Sequence, residues 1–112
     1  MATFEDVRAI ALALPEAEER LTWDTDVTFR VRDKIFVIGA DGAGGISLKA
    51  SLDTQADLVA LDPETFRPAP YVGRYGWVSA DLRRIDEPLL RKLVADAWRA
   101  AAPKKLRGLV PE

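Results

Sequence analysis

Few side chains in this 112-residue chain could carry chemistry. Cysteine and histidine are both absent. That excludes thiolate nucleophiles, disulfides and imidazole proton shuttles, and it removes the usual ligands of a structural zinc. Carboxylates, lysines, arginines, tyrosines and backbone groups remain. They are most concentrated between Pro70 and Leu82, where Tyr71, Gly73, Arg74, Tyr75, Gly76 and Trp77 crowd a turn that feeds a strand. Glycine lets a backbone approach a ligand, tyrosine offers a ring and a hydroxyl, and arginine donates to anions. Tyr71, Gly73, Arg74 and Tyr75 are therefore a candidate ligand-binding turn, for a small molecule in a concave pocket.

Known phosphate motifs do not fit. The run Gly73 to Trp77 follows no clear strand and opens no helix, as a dinucleotide fingerprint must. The Gly39–Gly45 stretch lacks the terminal Gly-Lys-Ser/Thr of a P-loop and leads into a strand. No twelve-residue calcium loop is present. No cofactor and no metal are implied. The best carboxylates for acid–base work are Asp24 and Asp26, beside Trp23, and Asp81. A paired-acid mechanism would need two of them converging with split pKa values, whereas turn and cap roles need nothing more than their positions. Glu16 and Glu19 could share a cation only from a helix facing a third ligand, so Glu16, Glu18 and Glu19 read as a solvated acidic connection.

A second candidate site depends on strands. Val27, Phe29 and Val31 alternate with Thr28, Arg30 and Arg32, which predicts a strand over 27–32 with one wet side. Asp33–Lys34 reads as the break of a hairpin. Ile35–Ile38 follows as a strand apolar on both faces, and the glycine-rich 41–45 stretch as a turn. A third strand over 46–50 turns Ser47 and Lys49 outward, and a later one over 77–82 turns out Trp77, Ser79 and Asp81. If these strands share a sheet covered by helices on its other face, Arg30, Arg32, Lys49 and Trp77 form a candidate nucleic-acid-binding surface. Its cations would hold phosphates and its indole would stack on a base. An ordinary wet face of an antiparallel sheet has the same pattern, with arginine stems covering apolar atoms.

Helices supply the cover. Thr3 and Asp6 resemble a capping box ahead of Phe4, Val7, Ile10, Ala11 and Leu14, which predicts a helix over 4–14 stopped by Pro15. Ser51 or Asp53 can cap a short helix over 54–61. Arg67 to Pro70 is a rigid extended lead-in, because two prolines fix φ. Asp86, Glu87 and Pro88 start the strongest amphipathic helix, whose stripe runs from Leu89 through Trp98 to Ala101. Pro103 closes it, and a basic tail containing Lys104, Lys105 and Arg107 follows; bases there favour the helix dipole.

The chain is long enough for one domain with one modest core, read as residues 1–106 with a short tail at 107–112. The fold class is α+β: an antiparallel sheet with helices on one face, in the approximate order α-β-β-β-α-β-α. The net charge of −2 hides a gradient of −5 over residues 1–26, −1 over 27–82 and +4 over 83–112. That gradient suits an oriented encounter with an anionic partner, and equally a balanced solvated surface. No apolar run reaches the roughly 18–20 residues of a membrane span, and no signal segment opens the chain. The expected location is cytoplasmic, with no membrane partner.

These residues also carry a resemblance. The first helix ends Ala13-Leu14-Pro15; Trp23 precedes Phe29-Arg30-Val31 and Lys34-Ile35-Phe36. Leu48-Lys49, Pro70-Tyr71 with Gly73, Gly76-Trp77-Val78 and the closing Ala102-Pro103-Lys104-Lys105-Leu106 follow in order. From Phe4 to Leu106 the chain resembles the MmcQ/YjbR-like family of small bacterial proteins. The resemblance implies a compact α+β domain, similar to bacterial chaperone-like and double-wing DNA-binding domains. Family members are often labelled DNA-binding, by fold more than by assigned chemistry. The resemblance brings no catalytic residue and no cofactor. It marks Arg30, Lys34, Lys49, Tyr71, Gly73 and Trp77 as pattern positions without roles. Relatives often carry histidine after the tryptophan or in the Tyr71–Trp77 turn, where this chain has Asp24 and Tyr75. The leading expectation is a non-enzymatic binding domain for DNA. The alternatives are a protein-interaction module and a small-molecule binder or enzyme at the Tyr71–Trp77 turn, with monomer and homodimer equally open.

Overall fold

The computed structural model describes residues 1–22 and 25–110. Trp23 and Asp24, named above as candidates, lie outside the described residues, as does the end of the basic tail. Thr3 caps α1 (Phe4–Leu12) with the capping box anticipated from its sequence; the Asp6 carboxylate accepts from the Thr3 amide. Four strands follow: β1 (Ala17–Thr22), β2 (Asp26–Val31), β3 (Lys34–Gly39) and β4 (Gly45–Leu48). Ser51, rather than Asp53, caps α2 (Leu52–Leu61). β5 (Phe66–Pro68), a 3₁₀ turn (Gly73–Tyr75) and β6 (Val78–Asp81) come next. Asp86 caps α3 (Glu87–Ala101), and a short α4 (Lys104–Arg107) ends the order.

The sheet is antiparallel, in the order β1-β2-β3-β4-β6-β5. The α+β class with helices on one face holds, and two short edge strands extend it. One is β1, read from the sequence as an acidic loop. The other is β5, inside the proline-bounded lead-in, where an edge strand tolerates Pro68. The hairpin after β2 turns one residue earlier than expected. Arg32 and Asp33 are its two central residues, with φ of 50° and 67°, and Val31 pairs Lys34. A two-residue turn with both φ positive matches the twist of the strands it joins.

Register explains the two faces. Glu19, Phe29, Val37, Leu48, Val78 and Pro68 lie side by side across all six strands, and the middle four are buried under α1, α2 and α3. One residue along, Arg20, Thr28, Ile38, Ser47, Ser79 and Arg67 form the neighbouring row on the opposite face. A bulge lets Phe36 and Val37 both be buried while Ile35 falls opposite Arg30. Trp98 of α3 is fully buried and donates its indole N–H to the Pro15 carbonyl at 3.0 Å, tying α3 to the end of α1. Gly39 sits where a Cβ would fall 2.4 Å from the Phe4 ring, so glycine there lets α1 close on the sheet.

Candidate nucleic-acid interface

On and beside the uncovered face of the sheet stand cations with no ion pair among the described residues. Arg30 leaves β2 beside Thr28. Its Nε donates to Thr28 Oγ1 at 3.0 Å and its guanidinium also donates to Thr22 Oγ1 at 3.2 Å. Those hydroxyls also bond each other, and Thr28, expected to be wet, is buried beneath this network. Among the described residues, no carboxylate meets Arg30. Lys49 follows β4, with its Nζ 5.7 Å from the Trp77 ring centroid, a cation–π contact. Arg67 projects from β5, exposed, with no ion pair among the described residues. Arg30, Lys49 and Arg67 therefore stand on or beside the second, fourth and sixth strands of the sheet. Two strand spacings separate neighbours, about 10 Å.

The other cations are mostly neutralised. Arg8 of α1 is held by Glu5, Glu19 and Asp41, which raise its already high pKa further. Arg20 pairs Asp33 at 2.6 Å and Arg84 pairs Glu64 at 2.8 Å; Arg91 pairs Glu87, and Lys92 and Arg99 share Asp96. Arg32 is a correction to the predicted surface. It belongs to the hairpin turn rather than the strand, and forms a bidentate pair with Glu16 at 2.5 and 3.0 Å. That pair holds the Glu16 carboxyl below its ordinary range and raises Arg32. With Glu16 on Arg32 and Glu19 on Arg8, neither acid is left to share a cation.

Two adjoining depressions of about 470 and 330 Å³ run over this face and share Gly45, Ser79 and Ala80. Arg67 and Arg83 border the first; Ile38 and Pro70 border the second. Asp81 faces the first, but its carboxylate accepts from the Arg83 guanidinium at 3.1 and 3.2 Å and from the Arg83 amide at 2.9 Å. These bonds hold its pKa below the ordinary range, so it is a fixed anion, not a proton donor at neutral pH. Asp26 borders the second depression, and no hydrogen bond links it to Asp81.

The turn at 69–76 closes one end of the face. The Gln55 side chain donates to the carbonyls of Gly73 and Trp77, both at 2.7 Å. Gly76, at φ 103°, packs where a Cβ would meet the Ala50 carbonyl oxygen at 2.5 Å. Gly73 is buried against Pro68, so its role in the turn is close packing. Tyr71 and Tyr75, by contrast, are 96% and 63% exposed, and the Arg74 guanidinium lies 4.8 Å from the Tyr75 ring centroid. Trp77 is only 8% exposed, so the indole offered as a stacking surface is covered and the two tyrosines are the open rings.

Sequence reasoning missed Arg67 and Gln55 as parts of this surface. Arg67 was hidden by the two prolines that follow it, Pro68 and Pro70. Gln55 has no sequence signal, because only the fold brings it to the turn. Among the described residues, no group of three acids is placed to hold a metal, and no helix is long and apolar enough to cross a membrane.

Comparison with known proteins follows the fold. A protein of Deinococcus radiodurans, DR2400, with a DUF419 domain, has a crystal structure similar to this one. Its TM-score is 0.83 at 20% sequence identity, over 97% of this chain and 88% of that one. At that identity the likeness is one of fold. No curated protein matches the chain. The YjbR family model matches residues 12–100. The match takes in the whole sheet, α2 and most of α3, and the chain belongs to the YjbR family.

Proposed function

We propose that this protein is a non-enzymatic binding domain that holds DNA across the open face of its sheet. One observation carries the reading. Arg30, Lys49 and Arg67 face solvent, threonine hydroxyls or an indole, with no carboxylate partner among the described residues, in a protein that neutralises most of its other arginines. A cation without a carboxylate partner can take a phosphate without first breaking an ion pair. Three such groups spaced across one face suit a polyanion better than a compact ligand. Ser47 and Ser79 between them add hydroxyl donors, their oxygens 3.4 Å apart. The net charge of −2 sets the scale: binding is modest and local, not the avid grip of a strongly basic protein.

The reading predicts a salt-dependent affinity. Three phosphate contacts release counterions so that log K falls against log salt with a slope of about −2 to −3. A fluorescence-anisotropy titration of labelled DNA at two salt concentrations measures it. Undetectable binding, or binding indifferent to salt, rejects the reading.

A further inference from the structure

We infer that the face selects unpaired, single-stranded nucleic acid over duplex, with Tyr71 and Tyr75 as its base-stacking platform; this rests on the DNA-binding reading above. Three observations meet at the 69–76 turn. Its tyrosine rings are the most exposed aromatics among the described residues, and nothing in the fold requires them to be: Tyr71 even takes a left-handed φ of 64° at 96% exposure. The turn is nonetheless fixed in place, by Gln55 on two of its carbonyls and by the tight fit of Gly76 against the start of α2. These contacts fix the backbone that carries the rings, and a tyrosine side chain has only two torsions to order on binding. Pro70, next to Tyr71 in the chain, borders the same depression as Ser47, Ser79 and Ile38, so the turn starts at the edge of the open face.

The chemistry of the floor points the same way. Ile35 and Ile38 lie half-buried among the cations on the open side, and an apolar floor suits the face of a base. A duplex keeps its base faces stacked inside and would present only phosphates and groove edges to such a surface. A single strand brings phosphates for Arg67, Lys49 and Arg74 and exposed bases for the tyrosines. Arg74 already lies over Tyr75, so a base can extend an existing cation–ring stack. Charge complementarity thus names the occupant: neither Arg67 nor Arg74 has an ion pair among the described residues.

The test uses the full chain, a labelled oligo(dT) strand and a labelled hairpin duplex of similar charge, at one salt concentration. The expected result is single-strand binding at least about tenfold tighter than duplex binding. Tyr71→Ala with Tyr75→Ala should remove most of that preference and leave duplex affinity unchanged. Both substitutions are at exposed positions, and circular dichroism checks that the fold is retained. Equal affinity for the two probes, or a loss on tyrosine substitution that is the same for both, overturns this inference and leaves the DNA-binding reading standing. Failure of both probes to bind overturns the two together. Dimerisation of the free chain that disappears with the tyrosines would assign the rings to a second copy and overturn the inference as well.

Discussion

The two faces of one sheet differ by a single residue step and by everything those residues do. In one row, Phe29, Val37, Leu48 and Val78 are sealed under helices. In the next, Thr28, Ile38, Ser47 and Ser79 face the open side, flanked by arginines on the edge strands. Burial of the first row supplies the hydrophobic stabilisation, since each core side chain contributes in proportion to the apolar area removed from water. The second row, apart from buried Thr28, is only partly covered and has charged neighbours. The two rows meet in character at Thr28, which is buried yet accepts a hydrogen bond from Arg30 and leaves its charge uncancelled.

The largest effect should separate the rows outright. Phe29→Ala removes a fully buried ring and is expected to cost about 3–5 kcal/mol, whereas Ser47→Ala on the open row should stay within about 0.5 kcal/mol. Urea unfolding measures both, and comparable losses would break the distinction. Next comes the turn that joins β5 to β6. Gly76→Ala forces a Cβ against the Ala50 carbonyl at a φ of 103° and should cost about 2–3 kcal/mol. Gln55→Leu removes one of two donors from each of the Gly73 and Trp77 carbonyls, which keep the Gly76 and Ala69 amides, and a loss of about 1 kcal/mol is expected. Hydrogen exchange should show that loss as opening of the 69–77 turn ahead of the rest of the sheet.

The smallest effect concerns the neutralised cations. Arg32 holds the Glu16 carboxyl below its ordinary range, so the pair's contribution is present above the unfolded-state pKa of Glu16 and is lost as pH falls through the lower folded value. Arg32→Ala should therefore reduce stability slightly at neutral pH and not at all in strong acid. Thermal unfolding across acid and neutral pH reads the difference; a loss that persists in acid would mean that Arg32 acts through the turn backbone instead.

The covered face was legible in the sequence because its signals are local and redundant. The 3.6-residue stripe from Leu89 to Ala101, the Thr3–Asp6 box and the alternation of Val27, Phe29 and Val31 each name their own element. The edges were not. β1 reads Ala-Glu-Glu-Arg-Leu-Thr, with no apolar alternation, because its charges protect an exposed edge instead of filling a core. β5 is only three residues long and ends in proline. Missing β1 concealed the hydroxyl of Thr22 that steadies Arg30, and missing β5 concealed Arg67. Arg32 went the other way. Strand parity placed it on the open face, but the turn takes Arg32 and Asp33 as its centre and delivers the guanidinium to Glu16. The candidate turn at Tyr71–Trp77 was visible from composition, yet that Trp77 would be covered and the two tyrosines open depended on packing that sequence does not display.

One titration decides whether the uncancelled charges on the open face matter. Labelled single-stranded DNA is bound by the native chain, by an Arg30→Ala, Lys49→Ala, Arg67→Ala variant and by an Arg84→Ala, Arg91→Ala control, whose arginines are ion-paired elsewhere. Each is measured at about 50 and about 200 mM salt. The account predicts that the triple variant loses most of the salt dependence and at least about a hundredfold in affinity at low salt, with Arg74 supplying what remains, while the control matches the native chain. A triple variant that binds like the native protein, or a control that weakens just as much, would contradict it.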